Sequence, residues 1–380
     1  MILIAVPMER EDERRVALSP ETAKKFMALG CDVVVEKGAG ERSDISDGQY
    51  EEAGARISSD IAKELGKADI VLGINCPDSE RIRQIKRGAV LAAMLNPLDE
   101  PDRMKELAKA GLSAFAMEFM PRITRAQSMD VLSSQSNLAG YKAVIDAAAQ
   151  FNRAMPMMMT AAGTVPPAKV FVMGAGVAGL QAIATAKRLG AIVSATDVRP
   201  AVKEQVESLA AKFIAVENEE FRQAETAGGY AREMSDDYKK QQAELVAKHV
   251  ARQDMVITTA LIPGRPAPKL ISKEMVETMP KGAVVVDLAA ERGGNCELTE
   301  PGKIIEHKGV TIMGKLNLAG ELSANASSLY ARNLLAFLTP FIDKENKKLA
   351  IDWEDELVIG TLICSEGQIV HERLTGAGGK

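Results

Sequence analysis

Short apolar runs alternate with amphipathic segments through the first 137 residues. Five runs are short and mostly apolar, as in the interior strands of a sheet: residues 3–6, 32–35, 70–72, 90–94 and 113–117. Helical apolar spacing falls between them, at residues 20–29, 60–65 and 101–110. Strands that alternate with helices predict a parallel sheet with helices on both of its faces.

The alternation continues in the second half. Residues 170–173 and 191–196 are predicted strands, and the helix between them, at 180–189, ends at Gly190. Further strands are predicted at 255–259, 283–288 and 310–313, helices at 243–252 and 330–338, and a β meander at 349–371. The sequence therefore predicts the α/β class, with two Rossmann-like, doubly wound domains and a cleft between them. Their predicted bounds are 1–137 plus 330–380, and 138–329.

The turn after the strand at 170–173 carries the motif G-x-G-x-x-G, at Gly174, Gly176 and Gly179. By itself this motif is weak, but here a strand precedes it, a helix follows it, and Asp197 closes the next strand. The first glycine permits a tight turn, the second lets a pyrophosphate approach the backbone, and the third lets helix and strand pack closely. The free N–H groups at the helix N-terminus favour a bound phosphate.

Asp197 at the end of the second strand predicts NAD(H) rather than NADP(H), because its carboxylate accepts ribose hydroxyls and repels a 2′-phosphate. Arg199, two residues on, keeps NADP(H) open as an alternative, and a βα turn without any nucleotide is a second alternative. The cofactor-binding residues predicted here are Gly174, Ala175, Gly176, Val177, Ala178, Gly179, Asp197, Val198 and Arg199. Ala260 and Leu261 join this set, because loops after such strands line the ligand crevice.

A polar segment runs from Pro121 to Asn137, before a helix predicted at 138–154. It carries many hydrogen-bonding groups and little to bury, so it is interpreted either as a solvated loop with an ordinary helix cap or as a polar lip over a ligand. A second polar segment holds the two-glycine sequence 226–230, either a surface loop or a lid that closes through Tyr230. The methionines at 157–159 are predicted to fill a core.

Composition narrows the possible functions. The 380 residues are 46% hydrophobic and 26% charged, with a net charge of −5, so nucleic acid is not a predicted partner. The four cysteines lack C-x-x-C spacing, so we expect reduced thiols and no metal site. No signal peptide or membrane-spanning run is predicted. The three histidines, His249, His307 and His371, are predicted to be solvated surface residues, which leaves few candidates for a general base.

Several longer motifs resemble one family. The segments RRVALSP, PRITRAQSMDVLSSQSNLAGY, MMMTAAGTVPPAKVFVMGAGVAGLQAIATAKRLGA, ETAGGYA, TTALIPGRPAP and VDLAAERGGNCELT are similar to the soluble NAD(H)-binding component, domain I, of proton-translocating NAD(P) transhydrogenase. The resemblance extends over essentially the whole chain. It implies an oxidoreductase that passes hydride directly from NADH to NADP⁺ on a partner component, so positioning and exclusion of water carry the catalysis.

The resemblance also assigns residues. It implies that Arg122, Gln127 and Asp130 hold the nicotinamide end, with Ser133 adding a hydrogen bond and Gln127 reaching NADP(H) on the partner. Tyr230 would close over NAD(H), and Asn137 belongs to the cofactor-binding set.

The family further implies a set of partners: a second copy in a homodimer, an NADP(H)-binding component and a proton-conducting membrane subunit. It places the chain in the cytoplasm, peripherally on the inner membrane. The chain ends before any membrane segment, as in the separate-polypeptide form, and residues 318–321 depart from the family pattern.

Two alternatives remain at this stage. An alanine dehydrogenase shares the architecture, but its substrate-binding lysine and catalytic histidine match Asn75 and Asn96 here. Neither asparagine exchanges a proton near neutral pH or pairs with a carboxylate as a cation does, so amino-acid oxidation is disfavoured. A non-catalytic NAD(H) sensor is the second alternative, but it would have no need of the polar segment 122–137.

Overall fold

The computed structural model describes residues 1–223, 234–262 and 264–376. Its chain divides into two compact units. Unit 1 comprises Met1–Gln135 and the chain from Gly320 onward, and unit 2 comprises Ser136–Ala319.

The N-terminal region of unit 1 alternates strands and helices. Its strands are β1 Ile2–Val6, β2 Cys31–Glu36, β3 Arg56–Ser58, β4 Ile70–Asn75, β5 Val90–Met94 and β6 Ser113–Ala116. Its helices are α1 Pro20–Ala28, α2 Asp47–Glu52, α3 Ile61–Leu65, α4 Ser79–Gln84 and α5 Pro101–Lys109, with 3-10 helices at Glu41–Ser43, Met117–Phe119 and Thr124–Met129. Helix α6, Val131–Gln150, crosses into unit 2.

Unit 2 continues the pattern. Its strands are β7 Met158–Thr160, β8 Gly163–Val165, β9 Lys169–Met173, β10 Ile192–Thr196, β11 Lys212–Phe213, β12 Met255–Thr258, β13 Val284–Asp287, β14 Ile304–His307 and β15 Val310–Met313. Its helices are α7 Val177–Arg188, α8 Val202–Ser208, α9 Glu219–Arg222, α10 Asp236–Val250 and α11 Lys273–Thr278, with a 3-10 helix at Ala290–Arg292.

The C-terminal region returns to unit 1. It contains α12 Ser323–Leu338, β16 Ile342–Asp343, β17 Lys348–Leu349, α13 Glu356–Thr361, β18 Leu362–Ser365, β19 Gln368–Ile369 and α14 Glu372–Thr375, with 3-10 helices at Gly320–Leu322 and Thr339–Phe341. The segment 318–321 lies where the chain leaves unit 2 for unit 1.

Both units contain a doubly wound sheet. In unit 1 the strand order is β3-β2-β1-β4-β5-β6, parallel throughout, followed by antiparallel β18 and β19. In unit 2 it is β11-β10-β9-β12-β13-β15, again parallel, followed by antiparallel β14. The central strands are buried almost completely, as a sheet covered by helices on both faces requires. The predicted α/β class with two Rossmann-like domains is confirmed.

Unit 2 provides a ligand crevice by its topology. The strand order reverses between β9 and β12, and ligands of such sheets bind beyond the carboxyl ends of the strands at that point. The segments that leave these ends are the glycine turn after β9, residues 197–199 after β10 and residues 259–262 after β12.

Helix α6 begins seven residues earlier than predicted. The carboxylate of Asp130 accepts the Ser133 N–H at 2.9 Å, which caps the helix at Val131. Ser133 and Asn137 therefore lie on a helix and not in a polar loop. The predicted β meander is also wrong in its middle, because α13 lies there and only β18 and β19 form the hairpin around residues 365–367.

The methionines at 157–159 and His371 were placed wrongly from the sequence, and the other two histidines are partly buried and hydrogen-bonded. Met159 is 81% exposed and lies on the hairpin of β7 and β8, so it fills no core. His371 is 6% exposed and caps α14, while His249 bonds Ser194 at 2.7 Å and packs on the Phe171 ring. His307 is half-buried and bonds Glu277 at 2.9 Å.

Within the described residues, no helix is long and apolar enough to span a bilayer. The same residues contain no group of three or more His, Cys, Asp or Glu side chains arranged to hold a metal ion.

Candidate functional site

The glycine turn after β9 has a separate structural requirement at each glycine. Gly174 has a φ of +94°, which favours glycine, and its N–H donates to the Thr196 carbonyl at 2.9 Å. A Cβ on Gly179 would lie 1.9 Å from the Gly174 carbonyl oxygen, so only glycine fits there. A Cβ on Gly176 would meet nothing within 4 Å. The turn therefore has no room for a side chain at Gly179 but has open space beside Gly176.

The open side of this turn fits a pyrophosphate. Gly176 is the N-cap of α7, and its residue type supplies no side chain to satisfy the first N–H groups of the helix. A helix N-terminus in this state attracts an anion through its N–H groups and its dipole. The space that a Cβ would occupy at Gly176 is therefore available to phosphate oxygens.

Helix α6 packs against the same turn. A Cβ on Gly140 would lie 2.0 Å from the carbonyl oxygen of Ala178, so α6 and the start of α7 approach to backbone contact. Asn137, an exposed residue of α6, precedes Gly140 by three positions and so lies on the same helix face. Gly140 was not among the predicted site residues, because a glycine within a helical pattern gives no sign of what lies opposite it.

At the end of β10, Asp197 is tied into the turn. Its carboxylate accepts the Ala175 N–H at 2.8 Å and the Nε and Nη2 of Arg199 at 2.9 Å each. The Asp197 side chain is 6% exposed and that of Arg199 is 34% exposed. The structure therefore brings together three predicted cofactor-binding residues, Ala175, Asp197 and Arg199.

Two residues that were not predicted from the sequence, Thr259 and Asn295, hold the segment at the end of β12 in place. Thr259 donates its hydroxyl to the Gly174 carbonyl at 2.9 Å, which joins the β12 end to the glycine turn. Asn295 is fully buried; its side chain accepts the Ala260 N–H at 3.0 Å and donates to the carbonyls of Ala260 and Pro268. The only signal for Thr259 is its position at the end of a predicted strand, and Asn295 lies too far along the chain for any local pattern to connect it with Ala260.

Apolar side chains are exposed beside this polar turn. Val177, Val198 and Leu261 are 44%, 65% and 54% exposed, and they follow β9, β10 and β12 respectively. Three exposed apolar side chains on neighbouring strand ends offer a surface for a flat, mostly apolar ring. All three were predicted cofactor-binding residues.

The predicted catalytic residues belong to unit 1. Ser133 donates its hydroxyl to Asp130 at 2.5 Å in addition to the backbone cap, so these two are in contact. Gln127 is exposed on the 3-10 helix Thr124–Met129, and Arg122 is exposed just before it. The 3-10 helix is held by Arg125, whose guanidinium donates twice to Asp355 at 2.7 Å. Tyr230 lies outside the described residues.

The two asparagines that argue against amino-acid oxidation have structural partners. The Asn75 amide donates to Glu9 at 3.4 Å and to Glu13 at 3.2 Å, at the carboxyl end of β4. Burial, with Glu13 nearby, raises the pKa of Glu9 to about 7. Asn96 has a φ of +55° and its N–H donates to Glu118 at 2.5 Å. Asparagine tolerates this left-handed conformation better than most residues.

Comparisons with known proteins agree with the fold and the motifs. The family model of the alanine dehydrogenase/PNT N-terminal domain matches residues 5–139, and that of the C-terminal domain matches residues 143–372. An NAD(P) transhydrogenase alpha subunit polypeptide of Rhodospirillum rubrum is 56% identical over 99% of both chains. A crystal structure of transhydrogenase from Sinorhizobium meliloti superposes with a TM-score of 0.88 at 55% identity, over 97% of this chain and 100% of that one.

Alanine dehydrogenases are more distant. The enzyme of Halomonas elongata is 29% identical, over 99% of this chain and 96% of that protein. The two family models and the higher identity to a transhydrogenase subunit lead to one conclusion. The chain belongs to the alanine dehydrogenase/PNT family and, within it, to the NAD(P) transhydrogenase alpha subunits.

Proposed function

We propose that this chain is the NAD(H)-binding component of a proton-translocating transhydrogenase. The observation that carries the proposal is the glycine turn, open at Gly176 and closed at Gly179, with Asp197 tied to it. The N-terminus of α7 would hold the pyrophosphate. Asp197 would take the adenosine ribose, with the apolar side chains Val198 and Leu261 against the adenine.

The catalytic roles follow from the family resemblance. Arg122, Gln127, Asp130 and Ser133 would orient the nicotinamide end, and Gln127 would also reach NADP(H) on the partner. When bound, the dinucleotide would supply a hydride from its nicotinamide ring. Asp130 and Ser133 are already joined by two hydrogen bonds, which would reduce the cost of ordering them around a ligand. Since no substrate proton is removed, this arrangement requires no general base.

The proposed partners are a second copy of this chain, an NADP(H)-binding component and a proton-conducting membrane subunit. The proposed location is cytoplasmic and peripheral on the inner membrane, through those partners. The homodimer is supported by the hairpin of β7 and β8, where Met157, Met158 and Met159 are 59%, 43% and 81% exposed. Exposed apolar groups gathered on one element are typical of an interaction surface.

The first experiment mixes the purified chain with an NADP(H)-binding transhydrogenase component, NADH and thio-NADP⁺. We expect thio-NADPH to form only when both proteins are present. Gln127→Asn is expected to slow this transfer sharply and leave NADH affinity nearly unchanged. The matched control is Gln368→Asn, an exposed glutamine on β19, which should leave both unchanged. A large loss of NADH binding in Gln127→Asn would contradict the role given to Gln127.

Alanine dehydrogenase activity is the alternative that the shared family favours. Oxidation of NADH with pyruvate and ammonium, without any partner protein, would establish it and overturn the argument from Asn75 and Asn96. Binding of NADH without transfer, with a partner component known to be active, would instead favour an NAD(H) sensor.

A further inference from the structure

Asn333 is a buried amide on a mostly apolar face of α12. Its residue is 8% exposed, and Tyr330, Leu334 and Phe337 on the same helix are at most 1% exposed. An apolar side chain could be buried here without losing hydrogen bonds to water, whereas an amide must find new partners inside the protein. The partners of Asn333 therefore indicate why an amide occupies this position.

Both partners belong to the segment that carries the proposed nicotinamide residues. The Asn333 Nδ2 donates to the carbonyl of Ser128 at 2.8 Å, and its Oδ1 accepts the hydroxyl of Ser134 at 2.8 Å. Ser128 lies in the 3-10 helix that precedes α6, and Ser134 lies in the first turn of α6. One side chain thus joins the two ends of a short segment, and Asp130 and Ser133 lie between those ends.

A second contact holds α6 against α12 independently of Asn333. Gln135 donates to the Ala326 carbonyl at 3.1 Å and accepts Arg15 Nη1 at 2.9 Å. Ala326 precedes Asn333 by seven positions, which is close to two helical turns, so both lie on one face of α12. The start of α6 is fixed at Ala326, and the bond from Asn333 to Ser128 ties the preceding 3-10 helix to the same face.

We propose that Asn333 is a positioning residue for hydride transfer, which fixes the backbone between Ser128 and Ser134 so that Asp130 and Ser133 hold the nicotinamide in place. This proposal rests on the proposed function, because it presumes that Asp130 and Ser133 hold that ring. A displacement of about 1 Å at a reacting centre can slow a reaction about a hundredfold. Loss of the Asn333 contacts should therefore reduce the rate of transfer more than the affinity for NADH, since the glycine turn is untouched.

Two variants of similar size remove different parts of the contact. Asn333→Asp keeps the acceptor for Ser134 and loses the donor to Ser128, whereas Asn333→Leu loses both. The matched control is Ser323→Ala, also 8% exposed on α12, whose hydroxyl donates to the Arg42 carbonyl of a different 3-10 helix at 2.7 Å. Each full chain is mixed with a transhydrogenase NADP(H)-binding component known to be active, NADH and thio-NADP⁺. The measured quantities are kcat, the KM for NADH and the Tm.

Both Asn333 variants are expected to lower kcat about ten- to a hundredfold and to leave the KM for NADH within about threefold of wild type. Ser323→Ala should lower the Tm, because it also removes a buried hydrogen bond, but should leave both kinetic constants unchanged. If Asn333→Leu does not fold, Ser134→Ala replaces it. That variant removes only the hydroxyl from the contact, and its kcat should fall in the same direction.

A wild-type kcat in the folded Asn333 variants would overturn the positioning role. A loss of kcat that Ser323→Ala reproduces would also overturn it, because the effect would then follow stability alone. In both cases transfer by the wild-type chain leaves the proposed function standing. If the wild-type chain forms no thio-NADPH with the active component, the proposed function itself fails, and the role of Asn333 fails with it.

Discussion

Two glycines of unit 2 are required by close contacts rather than by their backbone angles. Gly179 faces the Gly174 carbonyl oxygen and Gly140 faces that of Ala178, and a Cβ on either would lie about 2 Å away. Neither has a positive φ among the described residues. The role of Gly179 can be predicted from the G-x-G-x-x-G motif, whereas no sequence motif predicts the role of Gly140.

Gly140→Ala is expected to destabilise the chain by about 1–3 kcal/mol, because α6 must move away from the glycine turn. The displacement should also weaken NADH binding. Thermal unfolding and NADH titration measure the two effects. The matched control is Gly48→Ala in α2, where the new Cβ would lie at an ordinary contact distance of 3.8 Å from Ser46 Oγ. This substitution should stabilise the folded chain slightly, because alanine lowers the entropy of the unfolded chain. A Gly140→Ala chain as stable as the wild type would contradict the contact.

The raised pKa of Glu9 predicts that the stability of the chain depends on pH. Burial raises its pKa from 4.5 to about 7, so the folded chain binds this proton more tightly than the unfolded chain does. The resulting stability is fully present below pH 4.5 and is lost as the pH rises through 7. Glu9→Gln removes the titration, so the Tm of the variant relative to wild type should rise between pH 5 and pH 8.

The control for this series is Glu52→Gln, at the exposed C-terminal end of α2. Its Tm difference from wild type should be the same at both pH values. A Glu9→Gln difference that is equally independent of pH would show that Glu9 is ionised in both states.

Among the elements, the 3-10 helix Thr124–Met129 is held by a segment more than two hundred residues away. Arg125 donates twice to Asp355 at 2.7 Å and once to Glu356 at 3.3 Å. A Cβ on Gly360 of α13 would lie 2.5 Å from Pro121 Cγ, so α13 packs on the start of the same segment. The C-terminal return thus supports the residues proposed to hold the nicotinamide.

Arg125→Met is expected to lower the rate of hydride transfer while leaving the Tm almost unchanged, because exposed ion pairs contribute little stability. The transfer rate should fall because Arg122 and Gln127 would be positioned less firmly. The transfer assay with thio-NADP⁺ and thermal unfolding are compared with Lys105→Met, which removes the more exposed ion pair with Asp102. Identical transfer rates in the two variants would contradict a positioning role for Arg125.

At the scale of the whole molecule, contacts within one chain do not explain the apolar side chains exposed at the hairpin of β7 and β8. Its methionines are exposed although their side chains are apolar. If the proposed homodimer forms through this hairpin, Met157→Glu with Met159→Glu is expected to shift sedimentation velocity toward the monomer, because charges would enter the contact. Ile192→Lys, at a 56% exposed position on β10, serves as the control. Unchanged sedimentation of the double variant would contradict the proposed role of the hairpin in a dimer.

The glycine motif was readable in advance because its requirements are local. A strand, a tight turn, a helix and an acid at the next strand end all lie within Lys169–Asp197, and the structure contains each of them. Errors arose where partners were distant or where a local rule misled. The helix cap formed by Asp130 and Ser133 is local, but many neighbouring polar residues made the start of the helix hard to locate. The methionines at 157–159 were predicted to lie in a core and instead lie on or next to an exposed hairpin.

The sequence by itself determined the α/β alternation, the glycine turn and the acid at the end of β10, because periodicity and backbone sterics act over a few residues. Only the tertiary structure decided what Asp197 binds, why Gly140 is small and which segment holds Arg125. Ala178, Asp355 and the buried Asn295 come to their partners by packing, which depends on three-dimensional distance and not on separation along the chain. The sequence alone left Arg199 open to a phosphate, and the fold places its guanidinium on a carboxylate.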